Sequence, residues 1–207
     1  MHLAAPASVL FSTTNARVLA VLAGTDRGIS GRQVAQLAAM SHGTVWRSLR
    51  RFVEHGLVIE EEAGGRTLLY RLNRDHIAAD AVIALSRLRV TLIERIRHSI
   101  QQWDVPPTHA WLFGSMARGE GDTGSDVDIL LIRPSGIGDE GSTWNDQIEE
   151  LSEAVQRWSG NVASIADIRE EEIPRLREER PVVVDDLLDD AITLAGASAM
   201  SVFGGRT

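Results

Sequence analysis

The sequence predicts an α+β protein of two domains joined by a long linker helix, and three observations carry that expectation. The 207-residue chain is 43% hydrophobic and 24% charged, the composition of an ordinary globular protein with a packed core. Its charge divides along the chain: residues 1–103 hold 13 Arg against 8 acidic residues, a balance of +5, while residues 104–207 hold 8 Arg against 21 acids, a balance of −13. The hydrophobic period also changes, from short helical repeats and a Gly-Gly turn over residues 1–74, through one helical stripe over 75–103, to a strand-turn-strand pattern over 104–207. A basic first half suits a polyanionic partner, and an acidic second half is either solvated or gathers carboxylates around cations. Cysteine is absent, which excludes disulfides, thiolate nucleophiles and Cys-based zinc sites. No run reaches the roughly 18 apolar residues of a membrane span, and the start MHLAAPASVLFS lacks a basic signal-peptide region. A cytoplasmic protein with no membrane partner is therefore expected.

In the first half, NARVLAVLA over 15–23 places Val18, Leu19 and Leu22 on one helix face, with Ser12, Thr13 or Thr14 as cap and Gly24 as terminator. Ser30 caps a second helix, GRQVAQLA, in which Val34, Leu37 and Ala38 share a face. Ser41 caps a third, HGTVWRSLRRFVEH, which turns Val45, Leu49, Phe52 and Val53 inward and leaves His42, Thr44, Arg47, Arg50 and Arg51 largely outward until Gly56 stops it. Two strands come next, over 57–61 and 67–72, joined by a Gly64-Gly65 turn with Arg66 beyond it.

This order of three short helices and a hairpin, over roughly residues 13–73, resembles the winged helix-turn-helix family of bacterial regulators. The resemblance implies double-stranded DNA as partner, with the third helix in the major groove. Ser41, His42, Thr44 and Arg47 would lie near base edges, Arg50 or Arg51 near phosphate, and Arg66 would reach the minor groove or backbone. The competing reading is a protein-contact module, and Glu60, Glu61 and Glu62 in the wing favour it.

Residues 75–103 repeat Ile77, Ala81, Leu85, Leu88, Leu92, Ile96 and Trp103 at three- and four-residue steps, a linker helix capped by Asn73 or Asp75. Its stripe suits either a homodimer seam, matching a two-fold operator, or packing on the chain's own domains. Arg87, Arg89, Arg95 and Arg97 read as surface charges.

The run HAWLFGSMARGEGDTGSDVDILLIR comes after Pro106-Pro107. It predicts a buried strand over 109–113, a tight turn at Gly114-Ser115 opening a short helix, a loop with Gly119, Gly121 and Gly124, and a second strand over 126–132. Backbone N–H groups at such a turn carry partial positive charge suited to a triphosphate; Gly114 lets the backbone approach a phosphate and Ser115 adds a hydroxyl donor. Asp126 and Asp128 are two residues apart, so both carboxylates leave one face of a strand while Val127, Ile129 and Leu131 point to the core. Paired carboxylates repel unless a cation lies between them, and hard oxygen ligands favour Mg2+ or Mn2+. That equipment suits metal-assisted phosphoryl transfer.

The segment resembles the GS-x(10)-D-x-D motif of the DNA polymerase β nucleotidyltransferase superfamily in its small bacterial form, with ten residues between Ser115 and Asp126. By that resemblance the second domain is a nucleotidyltransferase fold with a small mixed sheet. Gly114 and Ser115 bind the triphosphate of an NTP, Asp126 and Asp128 hold metal, and Arg118 contacts phosphate or fixes the loop. The family adds a third carboxylate from a later strand as metal ligand and base. If a strand spans 161–168, after a helix over 143–158, Ser164 falls about where that acid stands and Asp167 is the carboxylate available. The two lie three apart and face opposite sides of a regular strand. Asp167 then serves as the third catalytic acid through a bulge or at the strand end, or else caps a helix ahead of the acidic segment 169–179.

Glu170, Glu171 and Glu172 before Pro174 open a helix, and Asp185, Asp186, Asp189 and Asp190 read as the solvated face of a final helix. Trp103, Trp111, Trp144 and Trp158 read as packing residues. The function expected is transfer of a nucleoside monophosphate from NTP to a hydroxyl of protein, RNA or a small molecule. The alternatives are a transcriptional regulator that senses nucleotide without turning it over, and an antitoxin of the minimal nucleotidyltransferase type with a toxin as partner.

Overall fold

The computed structural model describes residues 12–64, 67–138 and 143–204, together with His2 and Ala5. It divides into two compact units between Leu88 and Arg89.

In the first unit, helix α1 (Thr13–Ala23) starts where the Ser12 side chain accepts from the Asn15 amide, and α2 (Gly31–Leu37) starts on a reciprocal capping box between Ser30 and Gln33. Helix α3 (His42–Glu54) starts where Ser41 accepts from the Thr44 amide. These side chains satisfy amides that the first helical turn leaves without partners. A three-stranded antiparallel sheet, in the order β1-β3-β2, joins β1 (Ile29–Ser30), β2 (Val58–Ala63) and β3 (Thr67–Leu72). The core gathers Val18, Leu22, Val34, Val45, Leu49, Phe52, Tyr70 and Leu72. One expected core residue falls outside it: Leu37 is 67% exposed, and Val34, Ala35 and Ala38 make the buried face of α2. The helix has only seven residues and ends at Leu37, too short for a second apolar turn.

The stripe over 75–103 forms two helices instead of one. Helix α4 (Ala79–Ser86) ends at Arg87, whose φ of −95° and ψ of 1° leave the helical range, and α5 (Leu88–Gln101) begins after it. Ile77 precedes α4 and is almost fully exposed. Each helix spends its apolar face within one unit: Ala79 and Val82 join the first core, and Leu92, Ile93, Ile96 and Ile100 join a core of the second.

The second unit is built on a mixed four-stranded sheet in the order β6-β5-β4-β7. Strands β4 (His109–Phe113) and β5 (Val127–Arg133) pair antiparallel, as do β4 and β7 (Ile192–Ala195), while β5 and β6 (Ala163–Arg169) run parallel. The parallel pair needs a crossover, and α7 (Thr143–Ser159) supplies it. One sheet face buries Val127, Ile129 and Leu131 beneath α5 and α7, with Trp144, Leu151 and Val155. The other buries Trp111, Leu130 and Ile132 beneath α8 (Ile173–Glu179), α9 (Val182–Asp190) and α10 (Ala199–Phe203). Each fully buried aliphatic side chain of β5 contributes about 1.5–3 kcal/mol before entropy is counted. Strand β7 and helix α10 come after the segment expected to be the last helix. Four residues of ITLA are too few to establish a period.

Among the described residues, no helix is long and apolar enough to cross a membrane.

Candidate functional site

The sequence pair Gly114-Ser115 lies where β4 becomes the five-residue helix α6 (Gly114–Arg118). Gly114 has φ +73°, the left-handed region, and a Cβ built there would stand 2.5 Å from Asp128 Oδ2. Glycine therefore meets two requirements at once: a backbone turn that L side chains resist, and room for a carboxylate against the main chain. Register explains the approach, because Phe113 pairs with Asp128 across β4 and β5.

Asp126 precedes β5 and is exposed; Asp128 is the second residue of the strand and half-buried. Burial holds the Asp128 carboxyl above its ordinary proton affinity. The negative charge of Asp126 adds to that, the Arg118 guanidinium opposes it, and Asp186 adds again. Asp126, Asp128, Arg118 and Asp186 thus form one electrostatic group, with Gly114 against Asp128 and Ser115 next in the turn.

Arg118 donates through Nε to Glu120 at 2.9 Å and through Nη1 to Asp190 at 2.5 Å. The Asp190 side chain is only 13% exposed, and its Oδ1 is buried with no hydrogen-bond partner. The sequence pattern assigns Asp186 and Asp190 to a solvated face. In the structure α9 packs on α6, Asp190 holds Arg118, and the charge of Asp186 acts on Asp128. Their spacing on the helix is the available clue, since residues four apart share a face.

Two tethers fix the loop and turn, and a third holds β7. Arg89 of α5, expected to be a surface charge, donates to the carbonyls of Met116 at 2.8 Å and Ala117 at 2.5 Å, closing the C-terminal end of α6. Arg97 likewise donates to the Thr193 carbonyl of β7. Buried Asn161 donates through Nδ2 to the carbonyls of Asp122 and Ser125, at 3.0 and 2.9 Å, and so binds the glycine loop to the approach of β6.

The structure does not bring Asp167 to this group. Ser164 is the register partner of Asp128, and Asp167 is the partner of Leu131. Alternation along the strand therefore puts Asp167 on the face opposite Asp128. There it is ion-paired with Arg133, accepts from Trp144 Nε1 at 3.1 Å, and is covered by α7. No bulge interrupts the β5–β6 register, so neither the bulge nor the strand end carries it across.

Among the described residues, no three carboxylate or imidazole side chains are grouped as a metal cage. Two carboxylates beside the Gly114-Ser115 turn still fit Mg2+ or Mn2+, which take one or two protein carboxylates and complete their shells with other oxygen ligands such as water.

In the first unit, Ser41 and His42 are exposed at the start of α3, and the Ser41 hydroxyl lies 2.7 Å from that of Thr44. Arg47, Arg50 and Arg51 are exposed along the same helix, and Arg50 donates to Glu54 at 3.3 Å. Trp46, which the helical pattern does not single out, is 46% exposed beside them. The acids of the wing are partly engaged: Glu61 pairs with Arg71 at 2.9 Å, and Glu60 accepts from Tyr70. Arg66 lies outside the described residues.

Comparison with known proteins agrees with both halves. Residues 16–61 match the model of the IclR helix-turn-helix domain, and residues 93–194 match that of the nucleotidyltransferase domain. A solved structure of TrmBL2, described as an archaeal chromatin protein with a novel mode of DNA binding, is similar over 86% of this chain and 75% of that one, at 16% identity and a TM-score of 0.31. No curated protein matches the chain. The chain thus joins a helix-turn-helix domain of the IclR type to a nucleotidyltransferase domain.

Proposed function

We propose that the second unit transfers a nucleoside monophosphate from an NTP to a hydroxyl acceptor, and that the first unit binds double-stranded DNA. The observation that carries the transferase reading is the close approach of left-handed Gly114 to the carboxylate of Asp128, which sets the Gly114-Ser115 turn directly against the strand that carries that carboxylate. The amides of the turn and the Ser115 hydroxyl would hold phosphate oxygens, and Arg118 would add positive charge. Asp126 and Asp128 would hold Mg2+ or Mn2+, which when bound polarises the phosphoryl group and neutralises charge on the leaving pyrophosphate. In the reaction the acceptor oxygen bonds to the α-phosphorus, the bond from that phosphorus to the pyrophosphate oxygen breaks, and the acceptor proton passes to a base or to water. Asp186, a carboxylate outside the motif whose charge acts on Asp128, would serve as that base.

A second reading is favoured by one observation: Ser164, and not an acid, faces Asp128 across the sheet. In that case the domain binds NTP with metal and reports its presence to the DNA-binding unit without turning it over. An antitoxin role with a toxin as protein acceptor is a special case of the transferase reading.

One assay separates them. Full-length protein is incubated with each α-labelled NTP and Mg2+, alone, with cell-lysate protein, and with RNA. Label transfer that disappears in Asp126→Ala supports the transferase. NTP binding that needs Mg2+ and Asp126 but yields no labelled product under any condition supports the sensor instead.

A further inference from the structure

Helix α3 buries Val45, Ser48, Leu49 and Phe52, while His42, Gly43, Trp46, Arg47, Arg50, Arg51 and Glu54 are exposed. Trp46 is the anomaly of that outer face. An indole is among the largest apolar payloads a side chain carries, and a core fills the inner face of α3 without it. Its ring is held rather than loose: the Arg50 guanidinium carbon lies 5.5 Å from the ring centroid, a cation–π arrangement. Arg47 and Arg51 are also exposed on this helix, and its single acid, Glu54, is already bonded to Arg50. An apolar ring in a positive field complements a partner that carries phosphate at its edges and apolar groups between them. The major groove of DNA has that chemistry, because thymine alone among the bases displays a methyl group there.

We propose that Trp46 reads thymine, packing its indole against the 5-methyl group in the major groove while Arg50, stacked on the ring, reaches the neighbouring guanine edge or phosphate. This rests on the reading that α3 meets duplex DNA and adds the base that it selects. Ser41 and Arg47 recognise by hydrogen bonds, which do not sense a methyl group; Thr44 has a methyl of its own but is half-buried with its hydroxyl 2.7 Å from that of Ser41, so Trp46, 46% exposed, offers the larger apolar surface to a thymine methyl.

The test uses the full chain and a 20-base-pair duplex selected by it from a random-sequence pool, then resynthesised with uracil in place of thymine on each strand in turn. Uracil keeps every hydrogen-bonding group and removes only the methyl. The wild-type protein loses about fourfold in affinity for each methyl that Trp46 covers, by the transfer energy of one such group. Trp46→Ala binds the thymine duplex more weakly and no longer distinguishes it from the uracil duplex. Trp46→Phe retains part of the discrimination, and an unchanged melting temperature in both variants confirms that they fold. Equal wild-type affinity for the two duplexes, or discrimination that survives in Trp46→Ala, overturns the inference and leaves DNA binding intact. Recovery of no duplex from the pool overturns the DNA reading itself, with a protein partner for α3 in its place.

Discussion

Gly114 and Asp128 share one small space, and each limits what the other can be. Replacing Gly114 by alanine forces a side chain into the left-handed region, a cost of about 1–3 kcal/mol, and drives its Cβ onto the carboxylate that stands 2.5 Å away. Gly114→Ala is expected to lose stability of that order, read as a lower melting temperature, and to abolish the gain in stability that NTP with Mg2+ gives the wild type; an alanine variant as stable and as responsive as wild type contradicts the geometry. Asp128 carries the opposite trade. Its folded proton affinity is raised by burial, by Asp126 and by Asp186 against Arg118, so the ionised carboxylate costs stability in the absence of ligand. That cost is present at neutral pH, falls as the pH drops through the raised value, and is gone at the ordinary carboxylate value, where the unfolded chain is protonated too. Asp128→Asn is therefore predicted to raise the melting temperature of the metal-free protein at pH 7, with a gain that shrinks in acid, while weakening metal-dependent nucleotide binding. A lower melting temperature for this variant at pH 7 is the contrary result. Both residues were legible from the motif. The electrostatic cost was not, because Asp186 arrives from a helix some sixty residues further on.

Helix α6 is five residues long and too short to persist alone, so it depends on what holds its ends. Arg89 bonds the last carbonyls and Arg118 is gripped by Asp190 from α9. Truncating Arg89 to alanine strips two carbonyls of a charged donor, a loss of about 1–3 kcal/mol. It should also raise the Kd for NTP, read by titration calorimetry at a temperature where the variant remains folded; an unchanged Kd would show that α6 keeps its shape without the tether. Elements with caps and a strong period were readable in advance: α1, α3, β4 and β5 lie within two residues of expectation. The break at Arg87 was not, since the apolar steps run through it unbroken and only packing reveals that α4 and α5 serve different cores. Arginines in such a stripe look like surface charges until the carbonyls they bond are located.

Across the whole molecule, the division of charge follows the division into domains, with a basic helix-turn-helix unit followed by an acidic nucleotidyltransferase unit. The sequence also located its own weak point. The three-residue step from Ser164 to Asp167 implied opposite faces, and the parallel register of β5 and β6 makes that placement definite, with Asp167 joined to Arg133 and Trp144. Asp126 and Asp167 are therefore expected to behave as a functional and a structural carboxylate. The decisive measurement is calorimetric titration of NTP with Mg2+ into wild type, Asp126→Ala and Asp167→Asn, alongside their melting curves. Asp126→Ala should melt no lower than wild type, since it removes a charge that repels Asp128, and lose metal-dependent binding; Asp167→Asn should melt lower, having lost the ion pair with Arg133, and bind nucleotide with the wild-type affinity while folded. Binding that survives in Asp126→Ala, or that vanishes in folded Asp167→Asn, would place the nucleotide on the other face of the sheet.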